Sequence, residues 1–213
     1  MPTSIIAGST GLVGSNILSY LSDNNHKPIA LARSPIKEIP SNAQELIIDY
    51  DSLLTEGSLP SCDHVFVCLG TTIKIAKSKE NFKIVDLDYP LAVAQKALDS
   101  GAKKLTLISS VGADSKSKNF YLRTKGELED AILELGFESV NIFRPSFLIG
   151  QGGRHRAISE KILMKAAKIF DIFCIGSARK YRSIDAQVLA KKMASTLDAD
   201  PGVHYLYFDD FVN

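Results

Sequence analysis

Thr3-Ser4-Ile5-Ile6-Ala7 runs straight into Gly8-Ser9-Thr10-Gly11-Leu12-Val13-Gly14, and this junction decides the fold. Thr3–Ala7 is a short apolar run that ends on glycine, which is the pattern of a strand. From Gly11 to Asn24 the residues Leu12, Val13, Ile17, Leu18 and Leu21 recur at helical spacing. Between strand and helix, glycine meets three needs: a tight turn, room for a phosphate to approach the backbone, and close packing of helix on strand. The first turn of a helix offers unpaired N–H groups and positive potential, which suits a pyrophosphate. Gly8, Gly11 and Gly14, with Leu12 and Val13, supply that cradle, and Ser9 and Thr10 can add hydroxyl donors. The spacing is GxxGxxG rather than GxGxxG, so the strand before and the helix after carry the reading.

Outward from this junction, strands are predicted at Lys27–Ala32, Glu45–Asp49, His64–Leu69, Lys104–Ser109, Ser139–Arg144 and Val203–Phe208. A helix is predicted within Glu80–Ser100, with Leu91, Ala94, Ala97 and Leu98 on one face. Pro90 either occupies its first turn or kinks it. Further helices are predicted over Phe120–Leu135, Ala157–Phe170 and Ile184–Leu197, the last with Val188, Leu189 and Met193 inward. Strands alternating with helices mean βαβ units, and apolar strands without alternation mean a parallel sheet covered on both faces. The expected fold is α/β, a three-layer, doubly wound, mainly parallel sheet in a single domain over residues 1–213. A less regular segment around 150–181 is where a flap over a substrate would fit.

Composition narrows the function. A chain of 213 residues can bury a full core, and 45% hydrophobic with 23% charged residues excludes disorder as the main state. A net charge of +1 is no footprint for nucleic acid and no basis for attraction to a membrane surface. Arg154, His155, Arg156, Lys161, Lys165 and Lys168 read as the solvated face of a helix. Pro2–Ser22 carries no charge, yet its glycines and polar residues argue against a span, and it lacks the basic leader of a signal peptide. The expected partner is a small-molecule substrate, with no nucleic acid and no membrane, and the chain acting as a monomer or homodimer. Cys62, Cys68 and Cys174 form no CxxC pair and are odd in number, which points away from disulfides to a reducing compartment, taken as the cytoplasm. The histidines at 26, 64, 155 and 204 lack metal-site spacing, so no metal is expected.

An NAD site uses an acidic residue about 20 residues beyond the glycine loop to hold a ribose hydroxyl. Here the second strand ends Leu31-Ala32-Arg33-Ser34. A cation beside a hydroxyl suits a 2′-phosphate, so NADP(H) is preferred over NAD(H). Asp49 has two readings, an acceptor for the adenine amino group or a cap for the turn that follows it. Tyr121 and Lys125 stand four residues apart on a predicted helix and share a face. An ammonium near a phenol favours the phenolate, so Tyr121 can serve as a general acid or base. Ser109 and Ser110 end the fifth strand at the carboxyl edge of the sheet, where a hydroxyl can hold a carbonyl oxygen. Glycine loop, paired serines and YxxxK in this order are more specific than any one of them.

With these residues in place, the chain resembles the short-chain dehydrogenase/reductase superfamily, in its atypical branch with a GxxGxxG loop. Within that branch it is most similar to the Tat-interacting-protein-like oxidoreductases. The likeness is carried by Cys68-Leu69-Gly70-Thr71-Thr72, Val85-Asp86-Leu87-Asp88-Tyr89, Ser109-Ser110-Val111-Gly112-Ala113-Asp114, Tyr121-Leu122-Arg123-Thr124-Lys125-Gly126-Glu127 and Phe143-Arg144-Pro145. It is strong from Ser4 to Gly150 and looser beyond. The resemblance implies a Rossmann-type domain that binds NADP(H). It implies that Gly8 to Gly14 hold the pyrophosphate, Arg33 holds the 2′-phosphate, and Leu69, Gly70 and Thr71 line the adenosine side. Tyr121 is then the proton donor, Lys125 holds the nicotinamide ribose, and Ser110 polarises the carbonyl, with Ser109 as the lesser alternative. Pro145 to Leu148 pass near the nicotinamide, and Arg156 assists a phosphate. Many extended members carry asparagine where this chain has Asp86. The chain is also shorter than the sugar epimerases, which disfavours sugar-nucleotide chemistry. Two functions follow from the resemblance. One is an NADPH-dependent reductase of a small carbonyl compound, which Tyr121 and Lys125 together favour. The other is a regulatory protein that senses NADP(H) and binds a protein partner without turnover.

Overall fold

The computed structural model describes residues 2–24, 26–150, 171–172 and 174–212. Its strands are β1 (Thr3–Ala7), β2 (Lys27–Ala32), β3 (Gln44–Ile47), β4 (His64–Val67), β5 (Lys104–Ile108), β6 (Ser139–Phe143), β7 (Leu148–Ile149), β8 (Ile184–Asp185) and β9 (Gly202–Leu206). The helices are α1 (Leu12–Asp23), α2 (Tyr50–Thr55), α3 (Ile73–Ala76), α4 (Lys79–Lys83), α5 (Tyr89–Asp99), α6 (Phe120–Glu134), α7 (Ala186–Ala194) and α8 (Phe208–Val212). Seven strands make one sheet in the order β3-β2-β1-β4-β5-β6-β9, every neighbouring pair parallel. β7 and β8 pair separately. The uncharged stretch Pro2–Ser22 resolves into β1, the glycine turn and α1, and no described helix is long and apolar enough to cross a membrane.

The central strands are mostly apolar because both faces of the sheet are covered. Ile5, Ala7, Val65, Val67, Leu105 and Leu107 point to one side and meet Val93, Ala94 and Ala97 of α5 and Leu128 and Ile132 of α6. Ile6, Ala30, Phe66 and Phe143 point to the other and meet Ile17, Leu18 and Leu21 of α1 and Leu189 and Met193 of α7. Val188, expected inward, is 42% exposed. The stripe of α7 is Ala186, Leu189, Ala190 and Met193, and residue 188 lies off it. The expected helix at Ala157–Phe170 lies outside the described residues.

β1 and β2 end as predicted, whereas β3, β4, β5, β6 and β9 end one or two residues before their predicted limits, which leaves Asp49, Cys68, Ser109 and Arg144 at the carboxyl edge. The helix within Glu80–Ser100 is continuous but contains a π-helical turn at Ile84–Asp88. Pro90 lies in the first turn of α5. It has no N–H to complete an α-helical bond to residue 86, and the Tyr89 N–H instead reaches back to the carbonyl of Ile84. The proline is thus absorbed by a widened turn that carries Asp86 at its centre.

One polar chain crosses the core. His64 Nε2 lies 2.9 Å from Thr106 Oγ1, which lies 2.5 Å from Thr196 Oγ1, and the Thr196 hydroxyl donates to the Met193 carbonyl at 2.6 Å. That direction of donation makes Nε2 the protonated nitrogen, and Nδ1 is buried without a partner. Burial, aided by the charge of Lys104, lowers the His64 pKa to about 3. The unfolded chain therefore binds one more proton than the folded one as pH falls from about 6.5 towards 3, and stability falls with it. Between about pH 7 and pH 5, urea unfolding of wild type is expected to lose up to about 1.4 kcal/mol per pH unit more than His64→Gln, which keeps a donor for Thr106.

Candidate active site

The strand order reverses between β1 and β4, and open α/β sheets bind ligands beyond the strand ends at such a point. The segments that follow β1 and β4 touch there backbone to backbone. Gly8 has φ +83°, and a Cβ on it would stand 2.5 Å from the Cys68 carbonyl oxygen. A Cβ on Gly14 would stand 2.2 Å from the Gly8 carbonyl oxygen. Any side chain at either position forces strand, turn and helix apart. Gly11 is the N-cap of α1 and no side chain caps that helix, so its first-turn N–H groups remain for a ligand.

A cleft of about 330 Å³ opens at this point, and Gly8, Thr10, Gly11, Arg33, Leu69, Gly70 and Thr71 line it as expected. Ser9 departs from expectation. It is buried, and its hydroxyl donates to the Leu31 carbonyl at 2.8 Å, so it ties the turn to β2. Val13 is likewise a core residue. Asp49 is the N-cap of α2, accepting from the Asp51 N–H at 3.1 Å and the Ser52 hydroxyl at 2.9 Å. It does not line the cleft, and its carboxylate serves the cap. Ser34 follows Arg33 in the bend after β2, also outside the lining.

Tyr50, Asn81 and Tyr89 also line the cleft, and none of them was among the expected site residues. The two tyrosine rings lie 5.2 Å apart, and the Tyr89 hydroxyl donates to Asp51 at 2.5 Å. Burial pushes the Tyr50 phenol up to about 12, against the backbone of Gly8 and the charge of Arg33. Burial, then Asp51, pushes the Tyr89 phenol up to about 12, again against Arg33. Two neutral aromatic walls thus flank Arg33, which makes no ion pair among the described residues.

The other half of the site comes from α6. The Tyr121 ring lies 5.9 Å from that of Phe82, and Lys125 Nζ lies 2.7 Å from Asp86 Oδ1. Each contact is four residues on from the last along both segments, so α6 and the α4–π segment run side by side. The Lys125 and Asp86 side chains are 5% and 1% exposed. The second Asp86 oxygen accepts the Thr71 N–H at 2.8 Å. Burial raises the Asp86 carboxyl above the usual carboxylate range, and Lys125 and the Thr71 N–H oppose that rise. A Cβ on Gly70 would lie 3.5 Å from Asp86 Oδ1 and 3.8 Å from Lys125 Nζ, so the cleft wall rests directly on the ion pair. The lysine expected beside Tyr121 is paired with a carboxylate.

The two serines part company. The buried Ser109 hydroxyl donates to the Glu129 carboxylate, which Arg144 also holds. Arg144 in turn donates to the Tyr207 hydroxyl at 2.8 Å and lies 4.5 Å from the Tyr205 ring centroid. The Ser109 hydroxyl, expected at the cofactor, is therefore engaged within the scaffold. Ser110 is half-buried, and among the described residues its hydroxyl has only a 3.5 Å contact, to the carbonyl of Val111. The Val111 N–H donates to the Pro145 carbonyl at 2.9 Å and the Asp114 N–H to the Leu122 carbonyl at 3.1 Å. Gly126 lets this loop sit on α6, since a Cβ there would stand 2.1 Å from the Ser115 nitrogen. The loop thereby brings Ser110, Pro145 and the turn bearing Tyr121 together. Leu148 is in β7, off the main sheet, and Arg156 lies outside the described residues.

The model of the family described as "NAD dependent epimerase/dehydratase family" matches residues 4–169. "Protein FMP52-2, mitochondrial" of Scheffersomyces stipitis is 33% identical over 168 residues, covering 76% of this chain and 73% of that protein. "Protein FMP52, mitochondrial" of Coccidioides immitis is 37% identical over 174 residues, covering 74% and 70%. Among solved structures, human epimerase family protein SDR39U1 (isoform 2) with NADPH superposes with a TM-score of 0.68 at 18% identity, over 96% of this chain and 74% of that one. The relatives' names overturn the cytoplasmic expectation. Free cysteines distinguish reducing from oxidising compartments and do not separate the cytosol from the inside of a mitochondrion.

Glu129 should matter far more than an exposed carboxylate. In denaturant unfolding, Glu129→Ala is expected to cost about 3–5 kcal/mol, because it strands Arg144 half-buried. Glu138→Ala, which breaks the exposed pair with Lys103, is expected to cost less than about 1 kcal/mol.

Proposed function

This chain belongs to the NAD dependent epimerase/dehydratase family, and from that premise we propose that it is an NADP(H)-dependent oxidoreductase reducing a small carbonyl compound. The observation that carries the reading is the cleft at the strand-order reversal, with a side-chain-free backbone cradle at Gly8 and Gly14 and an uncapped α1 beside it. A cofactor pyrophosphate suits that cradle, since the first-turn N–H groups of α1 face it without competition from a side chain. Arg33, between the neutral Tyr50 and Tyr89, suits a 2′-phosphate through charge-assisted hydrogen bonds. When bound, the nicotinamide supplies a hydride for a carbonyl carbon.

The protein's own groups do the rest. Lys125, fixed by Asp86, keeps further N–H donors for a ribose hydroxyl. The Ser110 hydroxyl donates to the substrate oxygen, which suits Ser110 better than the engaged Ser109. Tyr121 releases its phenolic proton to that same oxygen as the alcohol forms. The names of the relatives support a mitochondrial site of action.

Calorimetric titration tests the cofactor. NADPH should bind wild type about ten- to a hundredfold more tightly than NADH, as a charge-assisted bond of about 1.5–3 kcal/mol implies, and Arg33→Ala should erase the difference. Equal binding of the two by wild type would remove the 2′-phosphate assignment. Tyr121→Phe should lower carbonyl reduction by about a hundredfold or more with NADPH affinity unchanged, and undiminished turnover would sink the mechanism. A non-catalytic NADP(H) sensor would instead bind NADPH and show no oxidation across an aldehyde and quinone screen.

A further inference from the structure

We infer that Asp86 cancels the charge with which Lys125 would otherwise favour the Tyr121 phenolate, which holds Tyr121 in its proton-donating form and biases the site towards reduction of a carbonyl over oxidation of an alcohol. The bias rests on the oxidoreductase reading above; the charge cancellation does not. Lys125 and Tyr121 face the same α4–π segment from adjacent turns of α6, and there Lys125 meets a carboxylate at 2.7 Å. Both members of the pair are almost wholly buried, so water does little to screen one from the other. An ammonium acts on a neighbouring phenol through its net field, and a carboxylate in contact with it removes most of that field.

The other charges on the packed elements are engaged elsewhere. Lys83 pairs with Glu127 at 2.8 Å, and Arg123 lies 3.8 Å from the same carboxylate. Lys79 sits over the Phe120 ring, and Glu80 is exposed and held by Ser78. Asp88 lines a separate groove with Gln95 and Glu134, Tyr89 is bonded to Asp51, and Glu129 is bonded to Arg144. Lys96 is in the last turn of α5, well along from the π turn. This leaves Asp86 as the one described carboxylate in contact with Lys125. The same carboxylate holds the Thr71 N–H, so it also joins the cleft wall to the lysine.

The test is an ultraviolet difference titration of phenolate absorbance on the free protein, with Tyr121→Phe subtracted to isolate Tyr121. Asp86→Asn, which unmasks the ammonium, should move the Tyr121 transition to lower pH by about 1 unit or more. Asp86→Asn combined with Lys125→Met exchanges one neutral pair for another and should return the transition to its wild-type position. No movement in Asp86→Asn overturns the inference. So does an upward movement of about 1 unit or more in the double variant, since that would mean Lys125 was acting on Tyr121 despite Asp86. The double variant strands no buried charge, so it remains informative if Asp86→Asn does not fold. Neither cofactor nor substrate enters the titration, so its failure leaves the oxidoreductase reading intact. Absence of NADPH turnover in wild type likewise leaves the titration result intact.

Discussion

The backbone contact at the strand-order reversal is the constraint on which the rest of the site depends. A Cβ on Gly14 would meet the Gly8 carbonyl at 2.2 Å, and one on Gly8 would meet the Cys68 carbonyl at 2.5 Å. With both absent, α1 packs onto β1 and the end of β1 packs onto the end of β4. This closeness puts the uncapped start of α1 beside Leu69, Gly70 and Thr71, so one cleft is made from segments some sixty residues apart in sequence. Burial of apolar side chains on both sheet faces supplies the driving force for that approach. The glycines decide how near it comes.

From that cleft the geometry passes to the chemistry through two buried ionic clusters. Asp86 links the Thr71 N–H to Lys125, and Glu129 links Ser109 to Arg144. Burying such pairs costs desolvation, so they are poor devices for stability alone. Each one holds the neighbour of a residue to which the proposed mechanism gives a role. Asp86 fixes Lys125 on the face that bears Tyr121, and Glu129 fixes Ser109 beside Ser110. The π turn at Ile84–Asp88 belongs to the same arrangement, because it lets the chain pass Pro90 while keeping Asp86 directed at α6.

Most of the scaffold was legible because its signals are local. The apolar strands, the helical stripes of α1 and α6, and the glycine turn each follow from a handful of neighbouring residues. The Asp49 cap was legible as one of two readings, since an Asx cap acts over two or three residues. The partners of the Ser9 and Ser109 hydroxyls were not legible in the sequence, for a shared reason. A hydroxyl near a site looks available until the partner that binds it is known, and Leu31 and Glu129 lie twenty-two and twenty residues away. Tyr50 and Tyr89 were missed on similar grounds, since their segments meet at Arg33 only after folding. Compartment was misassigned because cysteine usage reports redox conditions and carries no address.

The sequence by itself determined the doubly wound parallel sheet, the glycine cradle, and the placement of Tyr121 and Lys125 on one helix face, all properties set by periodicity and by steric demands within a few residues. The tertiary structure alone decided which polar groups are spent and which are free. It engaged Ser109 and left Ser110 without a strong partner, turned Asp49 into a cap, and set Asp86 against Lys125. The physical reason is that a buried charge or hydroxyl must find a partner, and burial and partner are both fixed only when distant segments pack.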